Sequence, residues 1–384
     1  MARRTQDDLI EWILRALRIR EMRILLLAGL LLAVGIWIVV GCPGLFPPPG
    51  EAPLNLPAPP PGESLPRSDP QPAPGPGRYQ LCFWNVENLF DDQNDHRTGP
   101  GDSELDPWYA DSPRTLEAKL DHLCDVLLAT NGGRGPDILC LAEVESHRAA
   151  ELLQQALNRQ IEDTSRRYRH VLFESPGGGR TIGTAILTRL AVDPNATRLL
   201  GNRLRILQGR IVVAGQPLTL VASHWSSRIS DKTGAARGRY GEVIYANFQK
   251  AYEANPSVDY LVCGDFNDNP EDASVVERLR AVADLSKDRS PGPRLLNLMT
   301  PLGAEGKATH FYGSKAYLFD QICVSPGLLD KKGWWCLPQT TQVIPRLAGR
   351  TGKPNRFGGP SDRRPLTSRG ASDHFPVTVD LEVR

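Results

Sequence analysis

The most informative segment of this sequence is LVCGDFND, residues 261–268. Its apolar start predicts a buried strand, and Asp265 and Asn267 stand where that strand ends. The same order, an apolar run followed by polar side chains, recurs in five other segments. These are FWNVENLF (83–90), ILCLAEVE (138–145), LVASHW (220–225), YLFDQI (317–322) and ASDHFPV (371–377). One acidic residue after a strand usually only caps a turn, whereas six such segments indicate a functional site at strand ends.

Around these segments the hydrophobic pattern predicts many strands and few helices. Strands are expected at 79–84, 138–141, 168–173, 181–187, 204–213, 218–223, 260–263, 318–324 and 377–383, and helices at 116–128, 148–157 and 238–254. The polar stretches 91–113 and 339–369 are expected to be loops, the second close to the C-terminal motif. This pattern favours packed sheets with helices outside over a simple doubly wound sheet.

The ordered set WNVEN, LAEVE, SHW, GDFND, FDQI and SDH resembles the endonuclease/exonuclease/phosphatase superfamily of metal-dependent phosphoesterases. That group includes pancreatic-type deoxyribonuclease, abasic-site endonucleases, neutral sphingomyelinases and inositol-polyphosphate phosphatases. The resemblance covers residues 79–383, and GDFND and SDH are its most specific motifs. It implies an α+β fold of two packed mixed β-sheets flanked by helices, a four-layer α/β/β/α sandwich with the site at one edge.

A metal site is expected on chemical grounds as well. Hydrolysis of a phosphodiester requires a hard cation to neutralise the developing charge, and Mg²⁺ prefers carboxylate oxygens and waters as ligands. The resemblance makes Glu143 the main ligand, with Glu87 and Asp373 nearby and Asn85 in support, and Mn²⁺ is a possible substitute for Mg²⁺. Glu145, two residues after Glu143, is the alternative ligand.

The remaining motif residues receive catalytic roles from the same resemblance. Asp265 orients or deprotonates the attacking water, assisted by Asn267. His374 contacts a non-bridging phosphate oxygen, and Asp320 holds its imidazole in the right tautomer and charge state. His224 donates to the phosphate or protonates the leaving oxygen.

Two arginines are candidate substrate-binding residues. Arg180 follows three glycines (177–179) that lack the Lys-Ser/Thr of a Walker loop, and Arg228 follows the SHW motif. Either cation can bind a phosphate. For His310, in KATHFY, a structural role as a partly buried histidine is preferred.

The N-terminal fifth of the chain predicts a membrane tether. Residues 1–23 are arginine-rich, and 24–41 form an uncharged apolar run that as a helix would span roughly 27 Å. The arginines before this run place residues 1–23 in the cytoplasm and the rest outside. A cleaved signal peptide and a lipoprotein acylated at Cys42 are the alternatives. A proline-rich linker, 42–77, then precedes a catalytic domain, 78–384.

Composition limits the function further. A formal net charge of +1 excludes a strongly basic protein that coats nucleic acid. The seven cysteines show no metal-ligand spacing, so zinc is not indicated, and four of them lie in apolar runs as buried thiols. The sequence identifies no protein partner.

Together these observations predict a bacterial, membrane-tethered, extracytoplasmic Mg²⁺-dependent phosphodiesterase whose substrate is nucleic acid. The alternatives are a lipid phosphodiesterase of the sphingomyelinase kind, a phosphomonoesterase of the inositol-phosphate type, and a non-catalytic phosphate-binding module. An apolar aromatic loop beside the site would favour lipid, and the segment 333–335, Gly-Trp-Trp, is the candidate for it.

Overall fold

The computed structural model describes residues 75–177, 180, 182–346 and 348–384. The predicted cytoplasmic segment 1–23, the apolar run 24–41, Cys42 and nearly all of the linker lie outside these residues. Within the described part of the chain, no helix has the length and apolar character needed to span a membrane.

Fifteen strands form two large sheets and one hairpin in the described residues. They are β1 (Gly77–Leu89), β2 (Ile138–Val144), β3 (His170–Phe173), β4 (Gly183–Thr188), β5 (Arg198–Leu199), β6 (Ile206–Val213), β7 (Gln216–His224), β8 (Tyr260–Asp265), β9 (Ala281–Val282), β10 (Leu295–Asn297), β11 (His310–Tyr312), β12 (Lys315–Tyr317), β13 (Asp320–Val324), β14 (Trp334–Val343) and β15 (Val377–Val383). The first sheet has the order β14-β15-β1-β2-β4-β3, and the second has the order β5-β6-β7-β8-β13-β10-β9. Both are mixed, because β1–β2, β7–β8 and β9–β10 are parallel pairs and the other neighbours are antiparallel.

Helices cover the outer face of each sheet. The α-helices are α1 (Asp102–Ala110), α2 (Pro113–Leu127), α3 (His147–Gln160), α4 (Ala235–Ala254) and α5 (Thr300–Ala304), and shorter 3₁₀ or π turns lie at Asn131–Gly133, Thr164–Arg166, Pro194–Ala196, Ser274–Arg278, Gly327–Leu329 and Leu366–Ser368. The first sheet packs on α1–α3, the second packs on α4, and the two sheets pack on each other. The predicted four-layer α+β sandwich is therefore confirmed.

Strand β1 shows how the sequence produces these layers. Side chains alternate between the two faces of a strand. Leu81 and Phe83 enter the core between the sheets, whereas Cys82 and Trp84 enter the core under the helices. Both faces of β1 are covered, which is why its sequence is an almost continuous apolar run instead of an alternating one.

Two predicted loops contain regular structure, and both predictions were wrong there. Helix α1 lies inside 91–113; it is short and contains a proline, so its pattern is weak, and burial of Leu105 and Tyr109 holds it. Strand β14 extends into 339–369. Trp334 in that strand is fully buried, and Trp335 is covered by Lys331 and Arg384. The segment 333–335 is thus not an apolar loop beside the site.

The cysteines behave as the sequence predicts. All six cysteines among the described residues are buried and free. Burial raises the pKa of the Cys124 and Cys336 thiols to about 12, so these thiols are protonated and unreactive at neutral pH.

Candidate active site

The six polar segments meet at one edge of the sandwich. β1 and β2 are parallel, as are β7 and β8, so the carboxyl ends of each pair lie side by side. β15 runs antiparallel to β1 and β13 antiparallel to β8, so both begin at this edge. A cleft of about 690 Å³ opens there. Of the predicted residues, the cleft is lined by Asn85, Glu143, His224, Arg228, Asp265, Asn267, Asp373 and His374.

Asn85 joins the two sheets at the floor of this cleft. Its side-chain amide donates to Asp265 Oδ2 (2.9 Å), on the other sheet, and to Glu143 Oε1 (3.3 Å), on its own sheet. Glu143 Oε2 accepts from the backbone N–H of Asn88 (3.0 Å). The two carboxylates are thereby fixed on either side of one amide.

The GDFND motif gives Asp265 its position. No Cβ fits at Gly264, because it would lie 2.3 Å from the carbonyl oxygen of Ser223. After Asp265 the backbone turns, with Asn267 at φ 52°, and the N–H of Asn267 donates to Asp265 Oδ1 (2.9 Å). Burial, against the opposing charge of His374, raises the pKa of Asp265 to about 6. The carboxylate is ionised at neutral pH and close to the range in which a general base works best.

His374 is held in the charged form by two carboxylates. Its Nδ1 donates to Asp320 Oδ2 (2.8 Å), and its Nε2 lies 3.8 Å from Asp265 Oδ2. Burial alone would lower the pKa of His374, but the charges of Asp320 and Asp265 raise it well above its usual value. His374 is therefore a buried cation at neutral pH.

His224 lies in the same cleft but, unlike His374, it is neutral. Its Nε2 is 3.7 Å from Asp265 Oδ2 and 3.9 Å from Glu143 Oε1, and its Nδ1 has no hydrogen-bond partner among the described residues. Burial, together with the positive charges of Arg205 and His374, lowers the pKa of His224 well below its usual value. His224 is thus a neutral imidazole beside a charged one.

Glu87 is buried and does not itself line the cleft. Its carboxylate accepts hydrogen bonds from Arg356 Nε (2.8 Å) and from the backbone N–H groups of Phe357 (2.7 Å) and Gly358 (3.1 Å). Burial and the charge of Asp373 raise the pKa of Glu87 to about 7, against the lowering by Lys119 and Arg356. Its role as a metal ligand stays a prediction; in the structure this carboxylate anchors the segment 356–358.

Lys119, on α2, lies beneath this end of β1 and is fully buried. Its Nζ donates to the carbonyl oxygens of Val86 (2.6 Å), Glu87 (3.1 Å) and Ala371 (2.7 Å). Glu87 and Asn88 have φ values of 50° and 61°, a conformation that costs free energy for residues other than glycine. The ammonium group therefore ties a strained strand end to the SDH motif.

The two predicted phosphate-binding arginines are engaged in protein contacts. Arg180 donates to Asp102 Oδ1 (2.7 Å) and Asn88 Oδ1 (2.6 Å) and does not line the cleft. Arg228 lines the cleft, but it donates to the carbonyl of Asn267 (2.9 Å) and pairs with two aspartates, Asp268 and Asp272. The structure thus brings only Arg228 of the two to the other site residues.

The structure also shows where Glu145 and His310 lie relative to the cleft. The Glu145 carboxylate accepts from the backbone N–H of Asp91 (2.9 Å) and pairs with Arg97 (2.6 Å), away from the residues that line the cleft. His310 is half-buried and lines the cleft, with its Nδ1 3.1 Å from the carbonyl of Asp373 and its ring centroid 4.4 Å from that of His374.

The sequence matches a family of enzymes over the whole of this architecture. Residues 80–383 match the Endonuclease/Exonuclease/phosphatase family. The chain belongs to this family. It is accordingly a metal-dependent hydrolase of phosphoester bonds. No curated protein is significantly similar to it in sequence.

Several solved structures are similar to this chain at low sequence identity. Truncated Caenorhabditis elegans TDP2 is 16% identical, covering 80% of this chain and 98% of its own, with a TM-score of 0.48. The human Nocturnin catalytic domain is 16% identical, covering 80% and 95%, with a TM-score of 0.47. A family protein from Bacteroides thetaiotaomicron is 16% identical, covering 80% and 99%, with a TM-score of 0.45.

The donor atoms in the cleft of this endonuclease/exonuclease/phosphatase protein fit a hard divalent cation. Glu143 and Asp373 present carboxylates, and oxygen donors of this kind suit Mg²⁺ and Mn²⁺. Two groups of three side chains among the described residues have ligand atoms within 4.8 Å of one another, and Glu143 belongs to neither group. They are His310–Asp373–His374 and Asp265–Asp320–His374. The second group is already joined by the short Asp320–His374 hydrogen bond.

Among the residues of the site that sequence reasoning missed are Lys119 and Arg356. Lys119 had a signal, because it stands on the apolar face of α2, three residues after Leu116 and four before Leu123. Arg356 had none, because it is one of several arginines in an irregular segment, and only the fold brings it to Glu87.

Proposed function

We propose that this protein is a membrane-tethered, extracytoplasmic, Mg²⁺-dependent phosphodiesterase that hydrolyses nucleic acid. The choice of substrate rests on the wall of the cleft, where aromatic rings (Phe311, Tyr312, Tyr317) stand beside cations (Lys353, Arg356). Single-stranded nucleic acid binds surfaces of this kind, because bases stack on aromatic rings and phosphates pair with cations. The tether and the location rest on the arginine-rich start and the apolar run 24–41.

The residues proposed to hold Mg²⁺ are Glu143 and Asp373, supported by Asn85. When bound there, the ion would neutralise the negative charge that develops on the phosphate oxygens. The amide of Asn85 already fixes the Glu143 carboxylate, so this ligand is oriented before any metal arrives.

Asp265 is the proposed general base. Its carboxylate is ionised at neutral pH and accepts the proton of the water that attacks phosphorus. The hydrogen bonds from Asn85 and Asn267 hold both of its oxygens in place, which fixes the direction from which the proton is taken. A base held in this way needs no reorganisation as the water attacks.

The two histidines divide the remaining work. His374, a cation held by Asp320, stabilises the additional charge on the non-bridging phosphate oxygens. His224 is neutral, so it acts as a hydrogen-bond donor through Nε2 to the phosphate or to the leaving oxygen. The pair supplies one positive charge and one neutral donor.

A lipid phosphodiester is the second candidate substrate, and a specific observation favours it. Ile229 and Tyr312, which line the cleft, are 74% and 70% exposed. Exposed apolar side chains beside an active site are typical of surfaces that contact lipid or other ligands. Nucleic acid is preferred because the same wall carries cations and only two strongly exposed apolar side chains.

The test is hydrolysis by the purified full-length protein in detergent with Mg²⁺. Plasmid DNA, single-stranded DNA and RNA, sphingomyelin in mixed micelles and inositol phosphates are compared in parallel. Asp265→Asn removes the base at constant volume, and Asp259→Asn, just before the start of β8, is the matched control.

We expect cleavage of single-stranded nucleic acid that falls at least about 100-fold in Asp265→Asn and is retained in Asp259→Asn. Turnover of sphingomyelin or of a phosphomonoester without cleavage of nucleic acid would overturn the choice of substrate. Full activity of Asp265→Asn would overturn the role of the base.

A further inference from the structure

We propose that Arg356 is a substrate-binding residue that grips a phosphate group of the substrate through its two terminal amino groups. Its side chain lines the cleft and is 59% exposed, although the carboxylate that anchors it is almost completely buried. This inference rests on the proposed phosphodiesterase function and adds a binding residue to the same site.

The first argument is the geometry of the anchor. Of the guanidinium N–H groups of Arg356, only Nε donates to Glu87 (2.8 Å). Both terminal NH₂ groups are therefore without a protein partner among the described residues. A guanidinium held at Nε presents its other edge as a pair of parallel donors, the arrangement that binds phosphate in a bidentate manner.

The second argument is rigidity. The Arg356 carbonyl accepts from Gly370 N (3.1 Å) and from Arg364 (2.9 Å), and the next residue, Phe357, is fully buried under α2. The segment packs so closely that a Cβ on Gly370 would lie 1.5 Å from the carbonyl oxygen of Asn355. The arginine is thus held before substrate arrives, which reduces the entropy lost on binding.

The third argument is a comparison with the other cations of the cleft. Arg228 is neutralised by two aspartates, and Lys353 Nζ donates to the carbonyl of Gly313 (2.6 Å). Arg356 has one carboxylate partner and keeps two donor groups directed away from it. The floor of the cleft is acidic through Glu143, Asp265 and Asp373, so an anionic substrate requires such a cation at the wall.

The phosphate in question is either the scissile one or its neighbour along a nucleic-acid strand, and two substrates distinguish them. Bis(p-nitrophenyl) phosphate carries only the scissile group, whereas a single-stranded oligonucleotide also carries neighbours. The full-length wild type is compared with the variants Arg356→Gln and Arg356→Lys. Arg363 is an exposed arginine of the same segment, and Arg363→Gln is the matched control.

We expect Arg356→Gln to lower kcat/KM at least about tenfold, the value of one charge-assisted contact, with the half-saturating Mg²⁺ concentration unchanged. A loss on both substrates assigns the scissile phosphate, and a loss on the oligonucleotide alone assigns a neighbour. Inorganic phosphate should inhibit the variant more weakly than the wild type, and Arg356→Lys should recover part of the loss because it keeps the charge.

The proposal is overturned if Arg356→Gln equals Arg363→Gln on both substrates. It is also overturned if the loss comes with unchanged inhibition by phosphate and a raised Mg²⁺ requirement, because Arg356 would then only support Glu87. If the wild type cleaves bis(p-nitrophenyl) phosphate but no oligonucleotide, the nuclease proposal fails, and the first substrate alone decides on Arg356.

Discussion

At the scale of single residues, the positive charge of His374 is a fixed electrostatic feature of the cleft. The imidazole is buried between Asp320 and Asp265 and aims its Nε2 toward the cleft. His374→Ala should lower kcat by at least about 100-fold, because a fixed positive charge beside the phosphate is lost in a site of low dielectric. Steady-state kinetics with His170→Ala, a half-buried histidine on β3, as control checks this; near-wild-type turnover of His374→Ala would contradict it.

The dependence of the rate on pH follows from the same three residues. Asp265, with a pKa of about 6, must lose its proton to act as the base, so kcat/KM should rise with pH through about 6. His374 must keep its proton, so the rate should fall again well above neutral pH. Asp320 raises the pKa of His374, and Asp320→Asn should therefore move the falling limb to lower pH.

A pH–rate series on the wild type and on Asp320→Asn measures this shift. A falling limb that stays in place, or moves to higher pH, would show that Asp320 does not set the charge of His374. Asp380→Asn, on β15 and outside the residues that line the cleft, serves as the control for loss of a carboxylate.

The residues that could be predicted from the sequence are those whose neighbours along the chain identify them. Asp265, Asn267 and His374 each stand in a short motif at a strand end, so the pattern and the chemistry indicate them together. The partners of Glu87 could not be predicted, because Arg356 lies 269 positions away and meets it only through the fold.

At the scale of elements, helix α2 supports the site through Lys119. Replacing this residue with Met would leave three buried carbonyl oxygens without their donor, each costing about 1–3 kcal/mol. Lys119→Met should therefore melt several degrees lower than the wild type, and its half-saturating Mg²⁺ concentration should rise as the ends of β1 and the SDH motif separate.

Thermal unfolding and Mg²⁺ titrations of activity measure the two effects. Lys250→Met, at an exposed position on α4, is the control for loss of a lysine from a helix. An unchanged Mg²⁺ requirement together with a lower melting temperature would limit Lys119 to a structural role.

The element patterns explain what the sequence could and could not predict about the fold. Strands β7 and β8 are buried on both faces, so their sequences are long apolar runs that predict strands without information from the fold. The hairpin β11–β12 and the strand β14 were not predicted, because three-residue strands and a half-buried edge strand carry little hydrophobic periodicity. Helix α1 depends on tertiary packing of Leu105 and Tyr109, which no local window contains.

At the scale of the whole molecule, activity should depend on a divalent cation. Three acidic residues face the cleft, Glu143, Asp265 and Asp373, and a phosphodiester cannot approach them closely without a cation that offsets their charge. EDTA should abolish hydrolysis, and Mg²⁺ or Mn²⁺ should restore it. Sodium chloride at equal ionic strength controls for screening, and EDTA-resistant turnover would contradict the metal role.

The separation of tether and catalytic domain gives the last prediction. Every described site residue lies between Asn85 and His374, and the first described strand begins at Gly77. Deleting residues 1–74 should leave a protein that is soluble without detergent and cleaves oligonucleotides with an unchanged kcat/KM.

The full-length chain should sediment with membranes and the deleted form should not, because the apolar run 24–41 is the proposed anchor. An insoluble deletion product would show that the domain boundary lies elsewhere. Sedimentation of the deleted form with membranes would assign membrane binding to the catalytic domain itself. Ile229 and Tyr312 are the exposed apolar side chains that line its cleft.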